Sequence, residues 1–293
     1  MKKAREIVVI SGKGGTGKTT VAASLADIMP GKVIADCDVD AANLYILLEP
    51  GNIRGRDFTG KSAAVIDQDV CSHCNLCREL CRFDAIHEVD GSLTVDPLAC
   101  DGCGLCEIAC PVKAVEMKEQ IVGKWFVSDT EFGKFVHARL IPGAENSGNL
   151  VTMVKHQAKL MAEEQGIDTI LIDGPPGIGC PVIAAISGAD AAVIVTEPTY
   201  SGISDLQRVT DLAAHFEVAG CIVINRFDIN RENSDKIEAF AREKGIPVVA
   251  RIPHSHCIMA EITASRLPAR KCRELASQVD KIYEFLQKAG DAN

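Results

Sequence analysis

Residues 6–20 read EIVVISGKGGTGKTT, and this stretch decides the fold. Ile7–Ile10 is a short apolar run rich in β-branched residues, which is typical of a buried parallel strand. Four glycines lie within residues 12–17, and Lys18 then opens a helical pattern that ends before Pro30. A strand, a glycine-rich turn and a helix N-terminus in this order form the context of a phosphate-binding P-loop. The stretch therefore predicts a nucleoside triphosphate site in an α/β fold, with a mostly parallel sheet flanked by helices.

Each residue type in the loop has a chemical reason to be there. Glycines allow backbone N–H groups to wrap the phosphates, and Lys18 neutralises charge at the β and γ positions. The Thr19 hydroxyl is the expected Mg²⁺ ligand. A glycine-rich turn with a chance lysine is the structural alternative, and the flanking strand and helix disfavour it. The predicted nucleotide contacts in the loop are Gly12, Gly14, Gly15, Thr16, Gly17, Lys18, Thr19 and Thr20.

Length and composition limit the remaining options. The chain has 293 residues, 47% of them hydrophobic, which suits one α/β domain and a small additional module. Its net charge of -9 argues against wide contact with phosphate backbones, so nucleic acid is not an expected partner. No apolar run approaches the ~18 residues of a membrane helix, and the basic N-terminus runs directly into the first strand, which leaves no room for a signal peptide. We therefore expect a cytoplasmic protein without stable membrane insertion.

Eight of the thirteen cysteines form two copies of the spacing C-x₂-C-x₂-C-x₃-C, in which each cysteine of the first copy has a counterpart in the second. Two-cluster bacterial ferredoxins have this spacing, with three cysteines on one [4Fe–4S] cluster and the fourth on the other. Zinc is the alternative for C-x₂-C pairs, but four consecutive cysteines in this spacing fit tetrahedral zinc poorly. The predicted ligands are Cys71, Cys74, Cys77 and Cys110 for the first cluster, and Cys100, Cys103, Cys106 and Cys81 for the second.

Acidic residues follow two of the predicted strands. Asp36, Asp38 and Asp40 come at the end of the second strand, and Asp173 ends a later one. Ligands of open α/β sheets bind at the carboxyl ends of the strands, so these side chains are candidates for the nucleotide site. Asp173, which can reach Mg²⁺ through water, and Gly177, whose N–H can sense the γ-phosphate, are typical of a nucleotide switch. For the first three acids, capping of the following helix, which is predicted over Ala41–Leu48, is the structural alternative.

Lys13 lies five positions before Lys18, and the loop resembles the deviant Walker A loop of the MinD/ParA superfamily, which includes the nitrogenase iron protein. The resemblance implies a homodimer in which Lys13 reaches the partner's nucleotide and stabilises charge as an arginine finger does. A solvated loop lysine is the alternative. The resemblance also implies that Asp38 orients the attacking water, although Asp36 and Asp40 could take that role.

The resemblance covers essentially the whole chain, with a ferredoxin-like α+β module inserted. It implies that Asn225, at the end of a late strand, contacts adenine, whereas a turn asparagine is the alternative. Cys180 has the offset from Asp173 of a cluster cysteine in the nitrogenase iron protein, but a second such cysteine is missing, so a buried small residue is favoured over a bridging cluster. Residues 49–64 are expected to form a loop or hairpin before the insertion. The predicted domains are an ATPase domain over 1–60 and 120–293 and the inserted module over 61–119.

Three functions fit these motifs. The favoured one couples a nucleotide-driven dimer switch to electron transfer through two [4Fe–4S] clusters toward an unidentified redox protein. The second is an ATPase that assembles or delivers a metal cluster; scaffolds of this superfamily carry a C-terminal C-x-x-C, whereas Cys221, Cys257 and Cys272 are isolated in this sequence. The third is a MinD/ParA-like positioning switch without redox output. It ranks last because neither a basic membrane helix nor a basic DNA-binding surface is visible.

Overall fold

The computed structural model describes residues 3–144 and 147–291. The chain divides into two compact units, the first made of residues 1–55, 125–139 and 147–293 and the second of residues 56–124 and 140–146. The outer ends of the predicted ATPase segments, residues 1–2 and 292–293, lie outside the described residues. The predicted domain boundaries near 60 and 120 fall inside two long strands, Gly51–Ile66 and Val115–Thr130, so that division stays a prediction.

The described residues form eleven strands and ten α-helices. The strands are β1 (Arg5–Ser11), β2 (Lys32–Asp36), β3 (Gly51–Ile66), β4 (Ile86–Val89), β5 (Ser92–Val95), β6 (Val115–Thr130), β7 (Gly133–Leu140), β8 (Thr169–Pro176), β9 (Ala191–Thr196), β10 (Gly220–Asn225) and β11 (Val248–Ile252). The helices are α1 (Lys18–Ile28), α2 (Leu44–Leu48), α3 (Leu76–Leu80), α4 (Leu105–Ala109), α5 (Ser147–Gln165), α6 (Cys180–Ile186), α7 (Tyr200–His215), α8 (Arg231–Glu243), α9 (His256–Thr263) and α10 (Arg273–Asp291), with a 3₁₀ turn at Pro268–Arg270 before α10.

The main sheet has the strand order β11-β10-β9-β1-β8-β2-β7-β6-β3. Each neighbouring pair from β11 to β7 is parallel, which confirms the predicted α/β class and mostly parallel sheet. Ile7–Ile10 is almost completely buried because both faces of β1 are covered. Since these strands run in the same direction, the carboxyl ends of β1, β2, β8, β9 and β10 meet at one edge, and the loops that follow them build the site.

The helices bury apolar stripes against this sheet. Val21 and Leu25 of α1 share one core with Leu275 and Val279 of α10, and all four are at most 1% exposed. Helix α10, the last helix, therefore belongs to the core. Among the described residues, no helix is both long and apolar enough to cross a membrane.

The cysteine repeat of the second unit appears as two matched halves. The N–H of Asp67 donates to the carbonyl of Ala114, and the N–H of Asp96 donates to the carbonyl of Ala85, each at 2.8 Å. These bonds are reciprocal, because each joins the start of one half to the end of the other. The two halves are therefore paired with each other as well as similar in sequence.

The turns of the two halves also correspond. Asn75 and Gly104 both adopt left-handed φ angles, 61° and 73°, immediately before α3 and α4. Between the halves, β4 and β5 form an antiparallel hairpin whose turn, Asp90-Gly91, has positive φ at both residues. Two consecutive positive φ angles are typical of a tight type I′ hairpin turn.

Two local predictions were wrong. Residues 51–66 are one continuous strand, although residues 49–64 were expected to form a loop or hairpin, because pairing beside β6 overrides a glycine- and lysine-rich composition. The helix expected from Ala41 begins only at Leu44. The Ala41 N–H closes a turn onto the Asp38 carbonyl, and a carboxylate oxygen of Asp36 accepts the Leu44 N–H at 3.3 Å.

Candidate functional site

The P-loop joins β1 to α1 and depends on glycine at two positions for different reasons. Gly17 has φ 95°, and a Cβ there would lie 2.4 Å from Nδ2 of Asn225. Gly12 has an ordinary φ, but a Cβ there would lie 2.4 Å from the backbone oxygen of Asp205. The loop therefore passes too close to its neighbours to carry side chains at these positions, and its backbone is held against the carboxyl edge of the sheet.

Lys18 is the first residue of α1 and is 5% exposed, so its ammonium group lies inside the site. Its Nζ is 3.5 Å from Oδ2 of Asp38. Burial raises the pKa of Asp38, and the charge of Lys18 opposes that rise. Among the three candidate carboxylates, Asp38 is the one that faces Lys18. Asp36 is fully buried and accepts backbone N–H groups, and Asp40 is exposed.

Asp173, in β8, is 1% exposed. Neither carboxylate oxygen has a partner with hydrogen-bond geometry among the described residues. Desolvation raises the pKa of Asp173 from 3.8 to about 7, and the charge of Lys18 and the hydroxyl of Thr19 oppose the rise. A buried carboxylate without a partner is costly, so this side chain fits a group that is not part of the chain, such as a hydrated cation.

Lys13 is held by the segment that follows β9. Its Nζ lies 2.5 Å from Oε1 of Glu197 and 3.1 Å from the hydroxyl oxygens of Thr199 and Ser201. Glu197 also pairs with Arg226 at 3.2 Å. Lys13 is therefore tied to its own chain and is not a freely solvated loop lysine. The sequence analysis missed Glu197, and only its position just after a buried strand could have indicated it.

Asn225 and Gly177 are both bonded to the P-loop region. The side-chain amide of Asn225 donates to the carbonyl of Thr16 at 2.7 Å, and the N–H of Gly177 donates to the carbonyl of Ser11 at 2.9 Å. Asn225 also lines a pocket beside the start of α1, and we call this pocket the base pocket. Its other lining residues are Gly17, Thr20, Val21, Arg226, Ile252, Pro253, His254, Ser255, Ile258, Met259, Ile262 and Leu275.

The eight motif cysteines of the second unit are free. Four of them, Cys81, Cys100, Cys103 and Cys106, line one cavity. They come from both halves of the repeat, and they are the set predicted for the second cluster. Among the described residues, no three His, Cys, Asp or Glu side chains form a group that could hold a metal ion.

Backbone N–H groups donate to the last cysteine of each motif. The Ala85 N–H lies 3.4 Å from the Cys81 sulfur, and the Ala114 N–H lies 3.2 Å from the Cys110 sulfur. In both halves this cysteine directly follows a short helix, α3 or α4, and forms its C-cap. The two halves of the repeat therefore share the same backbone contact to the sulfur of their last cysteine.

Three further cysteines differ from expectation. Cys257 and Cys272, which are isolated in the sequence, form a disulfide with a Cα–Cα distance of 5.9 Å. Cys180 is exposed and not a buried small residue, because it is the first residue of α6 and lies at the surface beside Gly148.

Known proteins resemble this chain over most of its length. The model of the CobQ/CobB/MinD/ParA nucleotide binding domain matches residues 7–266. An uncharacterised protein of Methanocaldococcus jannaschii is 34% identical over 231 residues, which are 78% of this chain and 80% of that protein. The septum site-determining protein MinD of Bacillus subtilis is 26% identical over 208 residues, 70% of this chain and 58% of that protein.

Solved structures share the fold. The septum site-determining protein MinD of Pyrococcus horikoshii, solved in complex with Mg-ADP, has a TM-score of 0.58 at 20% identity and covers 98% of this chain and 97% of its own. At this level of identity the similarity shows a shared fold.

Proposed function

The chain belongs to the CobQ/CobB/MinD/ParA nucleotide-binding family, and on that premise we propose that it is an ATPase working as a nucleotide-driven dimer switch. The observation that carries the proposal is the set of buried charges behind the P-loop. The ammonium of Lys18 lies near the carboxylate of Asp38, while Asp173 is buried without a partner. Unpaired buried charges are destabilising, and they are concentrated at functional sites, where a bound ligand supplies the missing partner.

The proposed roles follow from position. The loop backbone and Lys18 bind the phosphates, and Asp38 orients the attacking water. Thr19 and Asp173, the latter through water, would hold Mg²⁺, and the ion would supply positive charge that stabilises the phosphates. Asn225 holds the loop through Thr16 and contributes to the base pocket, where adenine would bind. The N–H of Gly177 would sense the γ-phosphate only after leaving the carbonyl of Ser11, so nucleotide binding would exchange that bond.

Lys13 would act in trans across a homodimer. In the single chain its ammonium is neutralised by Glu197 and bonded to two hydroxyl groups. Reaching a partner's nucleotide would require exchange of these contacts for phosphate oxygens. Hydrolysis would then depend on dimer closure, because a lone subunit keeps the lysine on its own surface. This dependence is what makes the enzyme a switch, with the ATP-bound dimer able to bind a partner and the hydrolysed state releasing it.

The test replaces Lys13 by alanine. We expect ATP hydrolysis to fall by a factor of about 10³, the lower range for a trans-acting cation, while the affinity for Mg-ADP changes little. The matched control is Lys244→Ala, which removes an exposed lysine with a single ion pair, to Asp211, and should leave both quantities unchanged. Turnover of the Lys13→Ala protein at the rate of the unmodified protein would refute the trans role.

A second function is favoured by a separate observation, the cavity lined by Cys81, Cys100, Cys103 and Cys106. The switch would then act on an inserted module that carries two [4Fe–4S] clusters and exchanges electrons with a partner protein. In a [4Fe–4S] cubane each of the four irons is bound by one thiolate, so the four cysteines surround a cavity. They do not converge on a single point, as the ligands of one metal ion do. The cavity joins the first three cysteines of one motif to the fourth of the other, which supports the crossed arrangement. When bound, such clusters supply one-electron transfer at low potential.

Assembly or delivery of a cluster for another protein has less support. The cysteines outside the motifs that could have formed a C-terminal thiol pair, Cys257 and Cys272, are bonded to each other. A positioning switch without redox output remains the function that the named relatives favour. Metal content decides between that function and the iron–sulfur proposal.

Anaerobically purified protein should contain about eight Fe per chain if both clusters are present. Cys81→Ser should remove the second cluster and leave about four Fe, because Cys81 lines the cavity of the other motif. The matched control is Cys37→Ser, which alters a buried free cysteine of the first unit and should keep the full iron content. Stoichiometric zinc, or protein that stays free of iron after anaerobic reconstitution, would leave the dimer switch without a redox function.

A further inference from the structure

The disulfide between Cys257 and Cys272 lies beside the base pocket, in a part of the chain that the proposed ATPase chemistry does not use. Cys257 is the second residue of α9, and Cys272 immediately precedes α10. The two cysteines are 15 positions apart in the sequence, and the segment between them contains most of α9 and the turn at Pro268–Arg270. Opening the bridge would therefore release α9 from the start of α10.

Helix α9 forms the outer wall of the base pocket. Ile258, Met259 and Ile262 of α9 line the pocket opposite Gly17 and Thr20, which belong to the P-loop and α1. Leu275 of α10 also lines it. The two helices that the disulfide joins thus both contribute apolar side chains to the pocket. Their spacing determines whether a flat base can be enclosed.

The polar contacts that tie the bridged segment to the rest of the unit lie beyond α9, where Arg270 pairs with Asp27 and Glu131. Glu261 is bonded to Arg266 and Lys271, but both partners lie inside the bridged segment. These ion pairs stabilise the segment internally and do not fasten it to the sheet. Ile258 and Leu267 are 8% and 7% exposed and provide the apolar anchors. The covalent bridge to Cys272, which is 3% exposed and packed in the core, is therefore a principal link between α9 and the rest of the unit.

The two bridged residues differ in exposure. Cys257 is half-buried, whereas Cys272 is buried in the core cluster with Leu275 and Val279. An attacking thiolate can approach the Cys257 side, and the sulfur that leaves is the one that α10 shields. Thiol–disulfide exchange requires access to only one of the two sulfurs, so the bridge can be opened without unfolding the core.

We propose that the Cys257–Cys272 bridge is a redox-modification site through which a dithiol reductant loosens the base pocket. The thiolate of the reductant attacks Sγ of Cys257, the S–S bond breaks, and its electron pair passes to Sγ of Cys272, which takes up a proton. The second thiol of the reductant then displaces Cys257, so that two cysteine thiols and one oxidised dithiol result. Released α9 encloses the base less well, and the nucleotide binds more weakly. This inference rests on the proposed nucleotide site.

The test compares Mg-ADP binding to the full chain before and after anaerobic treatment with dithiothreitol, by isothermal titration calorimetry. Alkylation followed by mass spectrometry should find Cys257 and Cys272 blocked before treatment and labelled after it. We expect the Kd for Mg-ADP to rise about tenfold on reduction, which corresponds to ~1.4 kcal/mol. A Cys257→Ser, Cys272→Ser double variant should bind like the reduced protein and should not respond to the reductant. Cys221→Ser, which changes a buried free cysteine, should respond like the unmodified chain.

Hydrogen exchange gives a second readout in case the double variant folds poorly. Residues 256–263 of the unmodified protein should exchange faster after reduction, while α1 stays protected. Equal Kd values and equal exchange in the two redox states would overturn the inference and leave the nucleotide site intact. Alkylation of both cysteines before reduction would also overturn it. Failure of Mg-ADP to bind in either state would instead remove the proposed function, and this inference with it.

Discussion

The unpaired carboxylate of Asp173 should make the protein less stable than a variant that cannot ionise at this position. The pKa of Asp173 rises from 3.8 to about 7 because the side chain is buried. Between these values the folded protein keeps a proton that the unfolded chain has released. The free energy of unfolding therefore falls as the pH rises through this window. Because the pKa of Asp173 differs by about three between the folded and unfolded states, the loss of unfolding free energy amounts to about 4 kcal/mol. The full loss is reached only above pH 7.

Asp173→Asn removes this penalty while preserving the shape of the side chain. The asparagine amide is itself buried without a partner, which keeps part of the cost, so we expect a gain of about 2–4 kcal/mol at pH 8. Near pH 4 the gain should vanish, since Asp173 is protonated there in the folded protein. The assay is urea unfolding between pH 4 and 8 in buffer without magnesium or nucleotide. The fluorescence of Trp125, the single tryptophan, reports on the first unit.

A neighbouring residue provides the control. Asp36 is the register partner of Asp173 on β2 and is also fully buried, but its two oxygens accept N–H groups from Asp38 and Leu44. Burial and the neighbouring charge of Asp173 raise the pKa of Asp36 as well, so Asp36→Asn also removes an ionisation penalty at pH 8. Asn has one acceptor oxygen, however, so this variant loses one of the two hydrogen bonds, and we expect it to gain about 1–3 kcal/mol less than Asp173→Asn. A gain at Asp173 that does not depend on pH, or no gain at pH 8, would refute the reasoning.

Two further perturbations test the packing around the site. His137 is stacked on Phe126 at 4.9 Å, and burial lowers the pKa of its imidazole from 6.5 to about 4. The protein should therefore lose about 3 kcal/mol of stability as the pH falls from 6.5 to 4, and His137→Phe should abolish this loss in acid unfolding curves. Gly12→Ala should destabilise by about 1–3 kcal/mol in the same urea assay, because its Cβ would meet the backbone of Asp205, whereas Gly14→Ala, with no atom within 4 Å, should have no effect.

The P-loop could be predicted because its chemistry is contiguous in the sequence. The glycines, Lys18 and Thr19 are close together in the sequence. The spacing of apolar residues predicts the strand before them and the helix after them. The cysteine repeat was equally readable, because the spacing of the first motif recurs in the second, and the structure pairs the two halves. In both cases the residues of the motif are close in sequence.

Long-range partnerships could not be read in this way. Lys13 and Glu197 are brought together only because β1 and β9 are neighbours in the sheet. The bond between Cys257 and Cys272 depends on how α9 folds back toward α10, and their spacing matches no motif. The strand at Gly51–Ile66 was missed because its own residues disfavour a strand, and its pairing beside β6 provides the compensating energy.

Two groups of buried charges lie at opposite ends of β1. One is paired within the chain and has a structural role, whereas the other is not fully paired and indicates a binding site. Glu6, at the start of the strand, is completely buried, yet its carboxylate is 3.2 Å from Nζ of Lys155 and 2.7 Å from Nζ of Lys159. Lys155 in turn donates to carbonyls at the end of α6. Every charge there has a partner within the chain. Charges that are paired within the chain in this way do not require a ligand to compensate them.

The cluster at the other end of β1 is not compensated. Asp173 has no partner with hydrogen-bond geometry in the described part of the chain, Lys18 is 3.5 Å from its nearest carboxylate, and Lys13 is bound to Glu197. Selection for stability alone would remove such a carboxylate, since asparagine in its place is expected to stabilise the fold. Its retention is explained if a cation and phosphates complete the site. Mg-ADP should therefore raise the urea midpoint of the unmodified protein by mass action and leave that of Asp173→Asn almost unchanged. Equal stabilisation of both proteins would show that Asp173 takes no part in binding.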